Sequence, residues 1–169
     1  MKNEKNRDEW IAQKILERKY NGFYQLKWWA LDSFSAFPVL YEGKTYATAE
    51  HLYQAAKFLR TSPETAELIR NAASPLDAKE LAHLPENKKL VRSDWDSVKA
   101  DVMKDICLHK LDQHPYIKRK LIESGDHALA EFSPSDYYWG IGEDGSGRNM
   151  LGKIWEQIRE TVKEGSVLP

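Results

Sequence analysis

The run from Tyr46 to Phe58, YATAEHLYQAAKF, constrains the chain more than any other, because helical spacing gathers a carboxylate, an amide and an amine on one stripe. At about 100° per residue, Glu50, Gln54 and Lys57 fall within about 60° of one another, while Ala49, Leu52, Ala56 and Leu59 lie on the opposite, apolar side. The helix has a core face and a chemical face. Thr48 has the side chain for an N-cap, and the Glu42-Gly43 pair upstream predicts a tight hairpin leading in. In the first turn, unpaired backbone N–H groups and the helix dipole favour a carboxylate, so Glu50 is expected to be ionised and not a proton donor. Taken alone, a first-turn acid and a solvated lysine are routine decoration, and only the rest of the chain gives them a function.

At 169 residues the chain is long enough for one domain with a full core, and nothing in its composition suggests a second. Its 25 basic and 26 acidic residues create no global field for nucleic acid. One cysteine, Cys107, supports neither an internal disulfide nor a cysteine metal cluster. Its neighbours Ile106 and Leu108 predict a buried structural thiol. With no apolar secretory segment or membrane-length run, the expected setting is the cytoplasm, with no membrane partner. The histidines lack paired ligand spacing and no G-x-S-x-G elbow occurs, so neither zinc nor a Ser-His-Asp triad is expected. No cofactor is called for.

The pattern along the chain predicts an α+β fold, a helix-dominated single domain with a small, mostly antiparallel sheet. Residues 1–22 form an N-terminal extension in which Trp10, Ile11, Ile15 and Leu16 recur at helical spacing, an amphipathic helix suited to docking on the domain or on a partner. Residues 23–164 make the domain and 165–169 a tail. Phe23 to Leu31 and Phe37 to Tyr46 carry early β character. Ser62-Pro63 and Ser74-Pro75 each announce a short helix, with a capping residue and then proline at the first helical position. A long helix is expected from about Asp94 to His114, with Ser93 and Asp96 at capping-box-like spacing. Tyr116 to Glu123 is another helix stopped by Gly125, Ala128 to Phe132 a strand, and Asn149 to Val162 the last helix.

A second chemical segment runs from Ser135 to Gly152, SDYYWGIGEDGSGRNMLG. Gly140, Gly142 and Gly145 formally match G-x-G-x-x-G, but a dinucleotide-binding unit needs another strand after the helix and none follows. What remains is a flexible glycine loop entering a helix N-terminus beside Arg148, an arrangement that suits a phosphate as readily as it suits a mobile turn. Asp136 stands next to three aromatics, which can shift a carboxylate's pKa and hold a planar base. Trp95, on the long helix, reads as plain core. The aromatic load, six tryptophans and eight tyrosines, serves core lids or stacking platforms equally well.

With Thr48-Ala49-Glu50-His51, Gln54 to Phe58, Arg92 to Lys99, Tyr138-Trp139-Gly140 and Gly147 to Gly152 present in that order, the sequence resembles the YbiA-like, or NADAR, family over roughly Phe23 to Val162. The resemblance implies a compact α+β domain that hydrolyses N-glycosidic bonds. One branch cleaves early riboflavin intermediates, pyrimidine ribosylamine phosphates, to a base and ribose 5-phosphate; another removes ADP-ribose from guanine bases, which would bring nucleic acid in as a partner. A catalytically silent binder of ADP-ribose or NAD is the rival from outside enzymology.

The family's functional carboxylates map onto Glu50 and Asp136, its tryptophan onto Trp95 and its lysine onto Lys57. Both substrate types carry the sugar on an exocyclic amine, so a neutral Lys57 can form a Schiff base at the sugar's C1 while Glu50 moves protons and Asp136 assists the leaving base. In the alternative, ionised Glu50 steadies an oxocarbenium-like sugar under attack by water. Trp95 and the Tyr138-Trp139 pair would stack on or wall the base, Arg148 and the glycine loop would hold phosphate, and Gln54, Gly140 and Asn149 stand with them as substrate-binding residues. One departure stands out: the family's usual Ser-Asn before an aromatic is Asp32-Ser33-Phe34 here, which removes an amide and adds a negative charge.

Overall fold

The computed structural model describes residues 20–22 and 28–164. In chain order these form β1 (Tyr20–Gly22), a 3₁₀ turn (Trp29–Leu31), β2 (Val39–Tyr41), β3 (Lys44–Tyr46), α1 (Ala49–Ala56), α2 (Pro63–Arg70), α3 (Pro75–His83), α4 (Pro85–Lys88), α5 (Trp95–Gln113), α6 (Pro115–Glu123), β4 (Ala128–Ala130) and α7 (Met150–Lys163). Ser33–Pro115 form one compact unit; the described parts of Met1–Asp32 and Tyr116–Pro169 form another. The amphipathic helix expected over the first nineteen residues and the tail at 165–169 lie outside the described residues.

In the Ser33–Pro115 unit, β2 and β3 pair antiparallel with Val39 opposite Tyr46 and Tyr41 opposite Lys44. Their turn has positive φ at both central residues, 47° at Glu42 and 75° at Gly43, the backbone that matches a two-residue hairpin to the twist of its strands. The outer edge of β2 is closed by a side chain: Gln113 accepts from Leu40 N at 2.7 Å and donates to Leu40 O at 2.8 Å. The amide thus stands in for a neighbouring strand.

Thr48 caps α1, its Oγ1 accepting from His51 N at 3.3 Å. The two serine-proline signals both open helices, though by different means. Ser74 accepts from Asp77 N at 3.1 Å, whereas Ser62 gives its hydroxyl to a 2.8 Å bond with Thr65 Oγ1. The capping box expected at Ser93 does not form. Asp94 occupies the cap position of α5, and its carboxylate is held by the Arg92 fork at 2.6 and 2.7 Å, a charged bidentate bond that outweighs a neutral hydroxyl cap. Helix α1 packs against α2, α3 and α5, burying Leu52, Ala55 and, just past its end, Phe58. Cys107 on α5 is buried, and burial pushes its thiol up to about 12.

In the other unit β1 runs parallel to β4, with Tyr20 opposite Ala128 and Gly22 opposite Ala130. The strand character expected for Phe23 to Leu31 is replaced in its described part by a turn and the 3₁₀ segment, which places the Leu31 carbonyl 2.8 Å from Trp155 Nε1. Trp155 is fully buried, and burying an aromatic of that size is worth about 2–3 kcal/mol. Helix α7 lies on β4. Asn149, in the left-handed region at φ 51°, donates from Nδ2 to Leu129 O at 2.7 Å and accepts at Oδ1 from Glu131 N at 3.0 Å, fastening one edge of this segment with both ends of its amide. No helix among the described residues is long and apolar enough to cross a membrane.

The closeness of α7 to β4 depends on Gly152, where an added Cβ would stand 2.2 Å from Leu129 O, a backbone atom that cannot swing away. Gly152→Ala is therefore expected to lower unfolding free energy by about 3 kcal/mol. Urea denaturation measures it, and an unchanged midpoint would mean that helix and strand can separate without penalty.

Candidate active site

Glu50, Gln54 and Lys57 do share one stripe, and the structure makes that stripe part of the interior. They are 5 %, 2 % and 7 % exposed. Lys57 lies one residue beyond α1 but keeps right-handed helical angles, φ −61° and ψ −24°, so the spacing carries through. Its Nζ donates to Gln54 Oε1 at 2.5 Å, and Gln54 Nε2 donates to Glu50 Oε1 at 2.7 Å. Ser33 completes the row, donating from Oγ to Glu50 Oε2 at 3.0 Å. The three α1-stripe groups and one distant hydroxyl form a continuous polar chain.

Trp95 is not core. Half-buried at the start of α5, its ring sits 5.1 Å from that of Tyr53, and Lys57 Nζ lies 5.7 Å from the Trp95 centroid and 5.6 Å from the Tyr53 centroid. Two aromatic faces therefore border the amine, which supports its charge weakly while displacing water that would support it better.

That desolvation decides the proton chemistry. Burial pulls the Lys57 amine down to about 8, opposed by the Glu50 charge and reinforced by Lys79 and Lys99. Burial likewise pushes the Glu50 carboxyl above the usual carboxylate range, against the hydrogen bonds from Gln54 and Ser33 and the charges of Lys79 and Lys57. The helix terminus expected to favour the ionised Glu50 is thus opposed by burial: a helix dipole is worth about 0.3–1 kcal/mol, and removing a carboxylate from water costs several times more. Burial thus shifts the amine and the acid toward each other's range.

The remaining residues singled out in the sequence belong to the other unit. Asp136 turns back on its own loop, its Oδ1 accepting from Tyr138 N at 2.9 Å and Trp139 N at 2.7 Å. Tyr138 and Trp139 pack edge to face, centroids 4.9 Å apart, and the Arg148 guanidinium lies 4.8 Å above the Tyr138 ring. Gly140 is buried against Glu131 O. The glycine loop is tightly built where flexibility was expected: at Gly142, φ is 66° and the Tyr137 ring occupies the place a Cβ would take. The helix terminus behind it is already satisfied. Met150 N donates to Tyr138 O at 3.0 Å and Leu151 N to Trp139 O at 3.2 Å, so these first backbone donors of α7 are committed within the chain. Asn149, read from the sequence as a ligand contact, spends both ends of its amide on β4.

Ser33 was missed as a site residue. The sequence marked the position as a departure from the family pattern, but a contact spanning seventeen positions has no periodicity to announce it.

A NADAR domain model matches residues 11–163. N-glycosidase YbiA of Escherichia coli strain K12 is 35 % identical over 130 residues, covering 77 % of this chain and 79 % of that protein. The chloroplastic riboflavin biosynthesis protein PYRR of Zea mays is 34 % identical over 124 residues, covering 70 % of this chain and 20 % of that longer protein. The NMR structure of E. coli YbiA superposes with a TM-score of 0.77 at 31 % identity, covering 88 % of this chain and 87 % of that one.

The Lys57 side-chain resonance is expected to titrate with a midpoint near 8 in the folded protein. In Glu50→Gln the midpoint should fall further, since the carboxylate charge it removes holds the ammonium in place. NMR of lysine-labelled protein reads both, and a midpoint near the usual lysine value would mean the amine reaches bulk water.

Proposed function

The chain belongs to the NADAR family, and from that premise we propose that it is an N-glycosidase acting in the cytoplasm on phosphorylated ribosylamines, early riboflavin intermediates, with release of ribose 5-phosphate. The observation that carries this reading is the hydrogen-bonded row from Lys57 through Gln54 to Glu50, which couples an amine lowered by burial to a carboxyl raised by it. The relatives named as an N-glycosidase and as a riboflavin biosynthesis protein supply the bond type and the substrate class.

A sugar joined to a base through an exocyclic amine opens reversibly to an imine. The neutral Lys57 amine adds to C1 of that imine; the C1–N bond to the base breaks, its nitrogen leaves with a proton supplied by Glu50, and a Schiff base between Lys57 and the sugar remains. Water, giving a proton back to the Glu50 carboxylate as it adds, then hydrolyses this adduct to the free sugar and the lysine amine. A raised Glu50 and a lowered Lys57 suit this sequence of steps, since burial moves each group toward the protonation state its step uses. Trp95, half-buried and backed by Tyr53, is the flat face for the base in the same unit. Asp136, Tyr138, Trp139, Gly140 and Arg148 belong to the other unit, and their roles toward substrate remain those the family resemblance implies.

The test is turnover of two substrates, a ribosylaminopyrimidine phosphate and ADP-ribosylated guanosine, by release of the sugar. Release from the first supports the reading, release from the second alone would reassign the protein to de-ADP-ribosylation, and release from neither would make it a binder. Glu50→Gln is expected to cut turnover by about 10²–10⁴ while thermal unfolding stays cooperative. Borohydride added during turnover should trap the sugar on Lys57; turnover without an adduct would favour direct attack by water.

A further inference from the structure

We propose that Ser33 is a positioning residue that assigns the exchangeable proton of Glu50 to a single oxygen, Oε2, and holds that oxygen in both of its protonation states. This rests on the N-glycosidase reading for its consequence, though not for its geometry. An ammonium has donors only, so the Lys57 side chain orients the Gln54 amide with its oxygen inward and its NH₂ toward Glu50. Oε1 is thereby met by an N–H and is an acceptor. A proton carried by Glu50 belongs on the other oxygen, which faces the Ser33 hydroxyl at 3.0 Å.

A hydroxyl is suited to that place because one atom can both give and take. Toward the ionised carboxylate Ser33 Oγ donates; toward the protonated acid it rotates and accepts from Oε2–H. An amide N–H at the same point, as the asparagine of the family pattern would offer, rewards only the ionised form. Ser33 is also tied to the turn it serves, since its backbone oxygen accepts from Glu50 N at 3.0 Å. Main chain and side chain of one residue thus grip the backbone and the carboxyl of another, so the hydroxyl cannot drift from its partner without breaking a second bond. Ser33 is half-buried whereas Glu50 is buried. The charged groups acting on Glu50 are Lys57 beside it and Lys79 from α3, with Lys99 from α5 acting on Lys57; none of them is altered by a change at position 33.

The experiment compares Ser33→Ala and Ser33→Thr with the full chain in two readouts, the ¹³C titration of the Glu50 carboxyl and the pH profile of kcat. Ser33→Ala should move the carboxyl midpoint up by about one pH unit, because the bond the hydroxyl gives the ionised carboxylate is stronger than the one it takes from the protonated acid, and the acidic limb of kcat should move with it. Ser33→Thr, which keeps the hydroxyl, should restore both. A carboxyl midpoint unmoved in Ser33→Ala would overturn the proposal, as would a threonine variant that folds but titrates like alanine. If no glycosidic substrate is turned over, the carboxyl titration alone decides, so the failure of the catalytic reading and the failure of this one are told apart.

Discussion

A helix buried around most of its circumference must satisfy every polar atom it carries inward. Seven of the eight residues of α1 are buried, Glu50 and Gln54 among them. An unpaired carboxylate at such a depth would cost several kcal/mol. Its cost is met by an unbroken series of donors and acceptors that runs along the helix and ends on a loop seventeen positions away. The helix can therefore rotate or shift only if the whole row is broken. The packing of α2, α3 and α5 around α1 is held to one register by polar geometry as much as by apolar contact.

The same burial sets acid and amine against their ordinary states. In water a carboxylate and an ammonium would both be charged at neutral pH; here desolvation disfavours charge on each, while their mutual attraction opposes that tendency. Gln54 spaces the two groups, so that they communicate through an amide and neither neutralises the other by direct contact. A closer pair would be a salt bridge, with its proton positions settled.

The features legible in the sequence were those set by local repetition. The stripe on α1 follows from the 3.6-residue period, and the hairpin turn, the Thr48 cap and the proline-led helix starts each rest on neighbours within a few residues. What could not be read depends on partners far along the chain. The parallel pairing of β1 with β4 joins segments about a hundred residues apart, and a three-residue strand has no pattern of its own. Ser93 lost its capping role to a neighbouring ion pair between Arg92 and Asp94, an outcome decided by relative strength and not by spacing. The first-turn place of Glu50 was visible, whereas its depth, which pushes the carboxyl up, was not. The glycines after Asp136 suggested mobility, yet Tyr137 fills the space beside Gly142. A missing side chain gives freedom or close approach, and composition does not distinguish them.

The Cys107 thiol, buried on α5 and pushed up to about 12, stays as S–H under the conditions in which most reagents for sulfur work. The sequence contains no other cysteine. For spectroscopic labelling the wild-type chain is thus effectively silent, and one cysteine introduced on its surface would give a unique attachment point for a spin label or dye without first stripping the core of its native sulfur.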